Sequence, residues 1–176
     1  GQRVILGGAA KGVGMIHPNM ATMLCIIATD AQVERGYLQR ALRASVDASF
    51  NMIDVDGDQS TNDTVLVLAN GASGAEAIEA GSGSAGAFQE ALTYICTDLA
   101  KELVRDGEGA QRLIEVVVDG ARSLADARAA AREISGSLLV KAMVHGRDPN
   151  WGRVMMALGK SGIEFEESKV DLYIND

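Results

Sequence analysis

Lys11-Gly12-Val13-Gly14-Met15-Ile16-His17-Pro18-Asn19-Met20-Ala21-Thr22-Met23-Leu24 passes from a glycine-rich segment into a small residue, a threonine and an apolar run that continues to residue 28. The run has the length and β-branched content of a buried strand. Glycines 7, 8, 12 and 14 predict an open loop before it, entered by a short strand over residues 4–6. Thr22 then stands where flexible backbone meets a rigid element. A self-cleaving precursor requires that layout: the hydroxyl attacks the preceding carbonyl, the ester hydrolyses, and threonine becomes a new N-terminus. The free α-amine of an N-terminal threonine can take the proton from its own hydroxyl. Its pKa of roughly 7.7–8.0 leaves a useful neutral fraction near pH 7. Ala21 is small and leaves room for the attack. From spacing alone, a surface loop followed by a strand that begins with threonine is the competing reading.

Three more polar stretches punctuate the chain. They are Asp56-Gly57-Asp58-Gln59-Ser60-Thr61-Asn62-Asp63-Thr64, Asp106-Gly107-Glu108-Gly109-Ala110 and His145-Gly146-Arg147-Asp148-Pro149-Asn150-Trp151-Gly152-Arg153. With residues 7–24, these occur in the order and wording of the ornithine acetyltransferase family, the bifunctional glutamate N-acetyltransferases of arginine biosynthesis, which the chain resembles over its whole length. The resemblance implies an enzyme, a glutamate N-acetyltransferase that cleaves itself between Ala21 and Thr22. It implies acetyl transfer from N2-acetyl-L-ornithine to L-glutamate through an acetyl-Thr22 intermediate, with acetyl-CoA a second donor in some members. Thr22 is then the catalytic residue, and Lys11, Thr22 and Glu108 bind substrate. An ammonium at Lys11 suits a carboxylate, and a carboxylate at Glu108 suits the amino end of ornithine. No metal and no cofactor is implied. The expected division is residues 1–21 as the end of an α chain and 22–176 as the first and central parts of a β chain, held together as a heterotetramer in the cytoplasm. The family's oxyanion hole and its C-terminal substrate contacts fall outside the stretch matched.

Composition bounds the alternatives. The chain has 176 residues, 47% hydrophobic residues, 20 glycines and a net charge of −8. That is enough for one substantial core or two lobes. Dispersed Lys and Arg argue against a nucleic-acid surface. No apolar run approaches the ~20 residues that span a bilayer. Cys25 and Cys96 lie in apolar runs and read as reduced, buried thiols. Lys11 precedes Gly12, which breaks the P-loop order. Counted from Asp54, an EF-hand loop would require Gly and Glu where Gln59 and Val65 stand.

Further along, the pattern predicts helices from about residue 32 or 34 to 50, over 87–105, from 123 or 124 to 134, and from 151 or 152 to 158. Thr29 and Asp30 are candidate caps for the first of these. Strands are predicted over 52–55, 65–69, 113–118 and 170–174. Residues 71–86 read as a loop with a turn of helix at 76–79, Trp151 packs under its loop, and 138–144 is apolar and of either type. His17 and His145 read as structural. The alternation predicts an α/β fold, a sandwich of mixed β-sheets and helices. The resemblance adds that this is the fold shared with self-processing aminopeptidases. Two other readings stand beside the acetyltransferase: an aminopeptidase-like member, which would use serine at the cleavage point, and a non-catalytic member of the same fold.

Overall fold

The computed structural model describes residues 3–17, 20–21 and 23–175. Thr22, on which the cleavage reading turns, lies outside the described residues, as do Pro18 and Asn19. The chain divides into two compact units, Gly1–Ala110 and Gln111–Asp176. The architecture is mixed α/β.

The first unit is built on a three-stranded sheet. Strands β1 (Leu6–Lys11), β4 (Leu24–Thr29) and β5 (Thr64–Ala69) are ordered β1-β4-β5. A two-stranded hairpin, β2 (Ile16–His17) and β3 (Met20–Ala21), lies between β1 and β4 in sequence. β1 and β4 are antiparallel, pairing Leu6 with Thr29 through to Lys11 with Leu24. β4 and β5 are parallel, pairing Leu24 with Thr64 through to Thr29 with Ala69. A parallel pair needs a crossover, and helix α1 (Arg35–Ala48) lies within it. Along β4 the period of two sends Cys25, Ile27 and Thr29 inward and leaves Leu24, Ile26 and Ala28 exposed.

Helix α2 (Ala85–Arg105) covers the inner face. Its Phe88, Leu92, Cys96, Ala100 and Leu103 are buried, in one core with Cys25 and Ile27. Fully burying a side chain the size of Leu or Phe contributes about 1.5–3 kcal/mol. Both cysteines are free and buried, as their apolar surroundings predict. α1 meets α2 through a polar seam as well as through apolar packing of Ala41, Leu38 and Val46 on the shared core. Ser45 is fully buried and shares a 3.0 Å hydrogen bond with Thr93 Oγ1. Gln89 Nε2 donates to Ser45 Oγ at 2.9 Å and to the Ala41 carbonyl at 3.2 Å. Leu38, Leu42 and Val46 are only half-buried beside it.

Several expectations are corrected in this unit. The predicted open loop over glycines 7–14 is strand β1 as far as Lys11. The reason is packing: a Cβ on Gly8 would lie 3.1 Å from Ile27 Cγ1, 3.1 Å from Leu99 Cδ1 and 3.2 Å from the Ile26 carbonyl oxygen. Only glycine lets the strand come so close to its neighbours. Thr29 and Asp30 do not cap α1. Thr29 Oγ1 donates to the Ile5 carbonyl at 2.7 Å, and Asp30 Oδ1 accepts from the Ile5 N–H at 2.7 Å, so both fasten the segment leading into β1. Glu34 is the cap, its carboxylate accepting from Gly36 N and Tyr37 N at 2.6 Å each. Residues 50–52 form a 3-10 turn, and no strand forms over 52–55. Residues 76–79 form no helix, because Ile78 is held in a bridge to Val33.

The second unit carries helices α3 (Leu124–Gly136), α4 (Leu138–Gly146) and α5 (Trp151–Lys160). Their core joins Ala130, Ile134, Val140, Met143, Val154 and Leu158. Ser123 and Ser137 cap α3 and α4, accepting from Asp126 N and Val140 N. The ambiguous apolar run is therefore helix α4. The strands predicted over 113–118 and 170–174 are not formed. Neither segment has a ladder partner among the described residues, and an extended chain with no neighbour makes no sheet. They line a trough of about 1260 Å³ with Ile134, Val140 and Leu158. Trp151 is 64% exposed rather than packed under its loop. Asn150 precedes α5 without a side-chain cap bond. Among the described residues no helix is long and apolar enough to cross a membrane.

Candidate active site

Three acidic residues organise the segment that runs toward Thr22. Asp56 Oδ2 accepts from Met15 N at 2.5 Å, and its Oδ1 accepts from Ile16 N at 3.2 Å and Asp58 N at 3.1 Å. Partial burial pushes this carboxyl up, but the N–H bonds from Asp58, Met15 and Ile16 outweigh it and hold the group below the usual carboxylate range. Its oxygens are thus engaged by backbone, which agrees with rejecting the calcium reading. Val55 N donates to the Ile16 carbonyl at 2.8 Å and completes the anchor.

Glu108 reaches the same segment from the end of α2. Gly107 is buried, and a Cβ there would meet Val55 Cγ1 at 3.0 Å and the Val104 carbonyl at 3.1 Å. Without that side chain the chain packs closely enough for Glu108 N to donate to the Val13 carbonyl at 2.6 Å. A Cβ on Gly14 would lie 3.3 Å from Glu108 Oε2 and 3.5 Å from Asp56 Oδ2. Two carboxylates therefore converge on one glycine of the segment leading to Thr22. Glu108 itself is exposed and available to a ligand.

Lys11 is the last residue of β1, paired with Leu24, which is paired in turn with Thr64. All three are exposed. In the hairpin, Ile16 faces Ala21 and His17 faces Met20. His17 Nδ1 lies 2.7 Å from Asp54 Oδ1, whose side chain is almost wholly buried. His17 thus has a structural partner in Asp54.

Asp63 is the residue the sequence reading passed over. Its Oδ1 accepts from Met23 N at 3.1 Å, while Thr64 N donates to the Met23 carbonyl at 3.1 Å. Both polar groups of the Met23 backbone are therefore held where the polar run enters β5, by Asp63 and Thr64. Asp63 Oδ2 is buried and has no hydrogen-bond partner among the described residues. Burial pushes this carboxyl above its ordinary value, with the Met23 N–H opposing. The sequence signal was a charged side chain placed directly before an apolar strand.

The remaining motif falls in the second unit, where it shapes helix ends. Arg147 closes α4 in the left-handed conformation with φ 55°, Asp148 N donates to the Met143 carbonyl at 3.1 Å, and Arg153 reaches the Leu139 carbonyl at 3.1 Å. His145 is exposed. Among the described residues no group of three or more His, Cys, Asp or Glu side chains could hold a metal ion.

The chain is 58% identical over 176 residues to the arginine biosynthesis bifunctional protein ArgJ of Symbiobacterium thermophilum, covering all of this chain and 44% of that protein. It is 51% identical over 178 residues to the glutamate N-acetyltransferase of Methanocaldococcus jannaschii, covering all of this chain and 43% of that protein. The chain thus spans less than half the length of these curated relatives. A crystal structure of the arginine biosynthesis bifunctional protein ArgJ from Bacillus halodurans superposes with a TM-score of 0.76 at 47% identity, covering 78% of this chain and 64% of that one. The family model described as the ArgJ family matches residues 1–176, and the chain belongs to that family.

Proposed function

We propose that this chain is the central part of a self-cleaving acetyltransferase of arginine biosynthesis. The bond between Ala21 and Thr22 breaks, residues 1–21 end an α chain, and residues 22–176 begin a β chain. The two stay together in a cytoplasmic heterotetramer. Thr22 carries the acetyl group from N2-acetyl-L-ornithine to L-glutamate, with its own α-amine as base. Acetyl-CoA is a second candidate donor. Lys11 binds a substrate carboxylate, and Glu108 binds the amino end of ornithine. The acyl group passes through the protein itself, so the cycle calls for no metal or cofactor.

The observation that carries this reading is the convergence of Glu108 and Asp56 on Gly14. Glu108 Oε2 thus lies against the segment that leads to Thr22, which supports the binding role this reading gives it. A hydroxyl activated by a neighbouring base fits the general pattern of nucleophilic catalysis. Intact mass of the full-length protein beside its Thr22→Ala variant tests it. Two fragments separated at Ala21–Thr22, absent in the variant, together with acetyl transfer from N2-acetylornithine to glutamate, are the expected result. One uncut mass in both would leave a non-catalytic member of the fold.

A further inference from the structure

The outer face of the three-stranded sheet is apolar over most of its area. Ile26, Leu66 and Leu68 stand exposed on it, and β1 adds only Gly7 and Ala9 before its last residue. The polar side chains that β1, β4 and β5 place on this face are Lys11 and Thr64, and the two occupy a single row. Lys11 pairs with Leu24, and Leu24 pairs with Thr64. Side chains of directly paired residues project from the same face, and all three are exposed. Neighbouring strands lie about 4.8 Å apart, which sets the backbones of Lys11 and Thr64 roughly 10 Å apart across Leu24.

Threonine is at home in any strand because of its β-branch, so its presence in β5 alone says little. Its placement says more. The alternate positions that follow it on the same face are Leu66 and Leu68, and its hydroxyl stands in the one row that also carries an ammonium. The two groups differ in what they give a ligand. The lysine ammonium is a compact charge on a flexible four-carbon stem. The threonine hydroxyl is a donor close to the backbone, on a side chain that is stiff at χ1. Its backbone is fastened as well, Thr64 N donating to the Met23 carbonyl at 3.1 Å.

We propose that Thr64 is a substrate-binding residue: its hydroxyl joins the Lys11 ammonium in holding the α-carboxylate common to N2-acetyl-L-ornithine and L-glutamate, with the aliphatic stem of either substrate lying along Leu24. This rests on the proposed function above. Lys11 supplies the charge and Thr64 the direction, since a hydrogen bond to an ionised acceptor is short and oriented. Glu108, beside Gly14, then serves only the amino end by which ornithine differs from glutamate. The feature the two substrates share and the feature that separates them fall to different residues.

Steady-state kinetics on the full-length wild type and its Thr64→Val variant test this. Valine keeps the β-branched shape and the backbone bond, and it removes the hydroxyl. Self-cleavage, followed by intact mass, should be retained. KM should rise about tenfold for N2-acetylornithine and for glutamate alike, with kcat little changed, and Thr64→Ser should recover most of the loss. The α-amide of glutamate should be a poor acceptor for the wild type and no poorer for Thr64→Val, which a merely structural role would not produce. A cut, active wild type whose Thr64→Val variant keeps both KM values, loses only one of them, or loses as much again on the α-amide overturns the assignment of Thr64 alone. Should Thr64→Val fail to fold or cut, Thr64→Ala is read in the same way. If neither variant cuts, the hydroxyl serves the fold and the assignment falls. A wild type that neither cuts nor transfers acetyl sinks this proposal together with the proposed function.

Discussion

Glu108 donates its backbone N–H to the carbonyl of Val13 at 2.6 Å. The bond ties the end of α2 to the segment between β1 and the hairpin, and its carboxylate then stands beside Gly14. Glu108→Gln keeps this backbone bond and removes the charge. Losing one charge-assisted contact to an ammonium should raise KM for N2-acetylornithine about tenfold. Self-cleavage, which involves no ornithine, should be unaffected. Steady-state kinetics and intact mass on the full-length protein check both halves, and unchanged KM would remove Glu108 from the substrate site.

Gly8→Ala should destabilise the first unit. The new methyl would meet two core side chains and a backbone oxygen at 3.1–3.2 Å. The backbone oxygen belongs to the central strand and has little room to yield. Overpacking of this kind costs about 1–3 kcal/mol. Denaturant unfolding would detect it as a lower midpoint with an unchanged slope, and an unaltered midpoint would refute the close-packing account of β1.

Asp56 and Asp63 pull the acid response in opposite directions. The folded pKa of Asp56 is depressed, so its contribution is present above the ordinary carboxylate value and lost as pH falls through the depressed one. Asp56→Ala should therefore lower stability at pH 7 by about 1 kcal/mol, discounted for solvent exposure. It should also flatten the loss of stability below about pH 4. Asp63 is raised, so its contribution is favourable only below the ordinary value and disappears as pH rises through the raised one. In the uncut Thr22→Ala background, Asp63→Asn should raise Tm at pH 7, with the gain vanishing as pH falls through the raised value. Thermal unfolding across pH measures both, and a Tm unchanged or lowered by Asp63→Asn at pH 7 would contradict the cost of burying this carboxylate.

Burial pushes the Cys25 thiol up to about 11. Cys96 is pushed to about 12 by burial and by the neighbouring Cys25, with the Ser49 hydroxyl opposing. The thiolate is the reactive form. Both should resist a disulfide reagent such as DTNB at pH 8 in the folded protein and react promptly once it is unfolded. Rapid labelling of the native protein would contradict the packing of α2 on β4.

The elements that read well from sequence are those whose pattern is local. α2 announced itself through apolar residues at helical spacing, and β4 and β5 through short apolar runs. β1 did not, because its glycines have loop composition, and their reason lies in Leu99 and Ile27, distant in sequence. The seam of Ser45, Gln89 and Thr93 was hidden for the same cause, since leucines at helical spacing outweighed a serine. The candidate site was legible only as a set of motifs, with Lys11 and Glu108 drawn into it by the family resemblance. The burial of a single Asp63 oxygen is a tertiary fact that a polar run of residues 56–64 cannot express.

The pairing of β1 with β4 has a further consequence for a chain cut between Ala21 and Thr22. The two strands lie on opposite sides of that bond, yet they are zipped from Leu6–Thr29 to Lys11–Leu24. While the chain is whole, this is an intramolecular ladder whose closure costs little entropy. After the cut the same ladder joins two molecules. Assembly becomes one-way: the pieces are born in register, but once separated they must find each other at a rate set by concentration. Refolding of the uncut Thr22→Ala chain should then be independent of protein concentration, while reassembly of the cut protein slows on dilution.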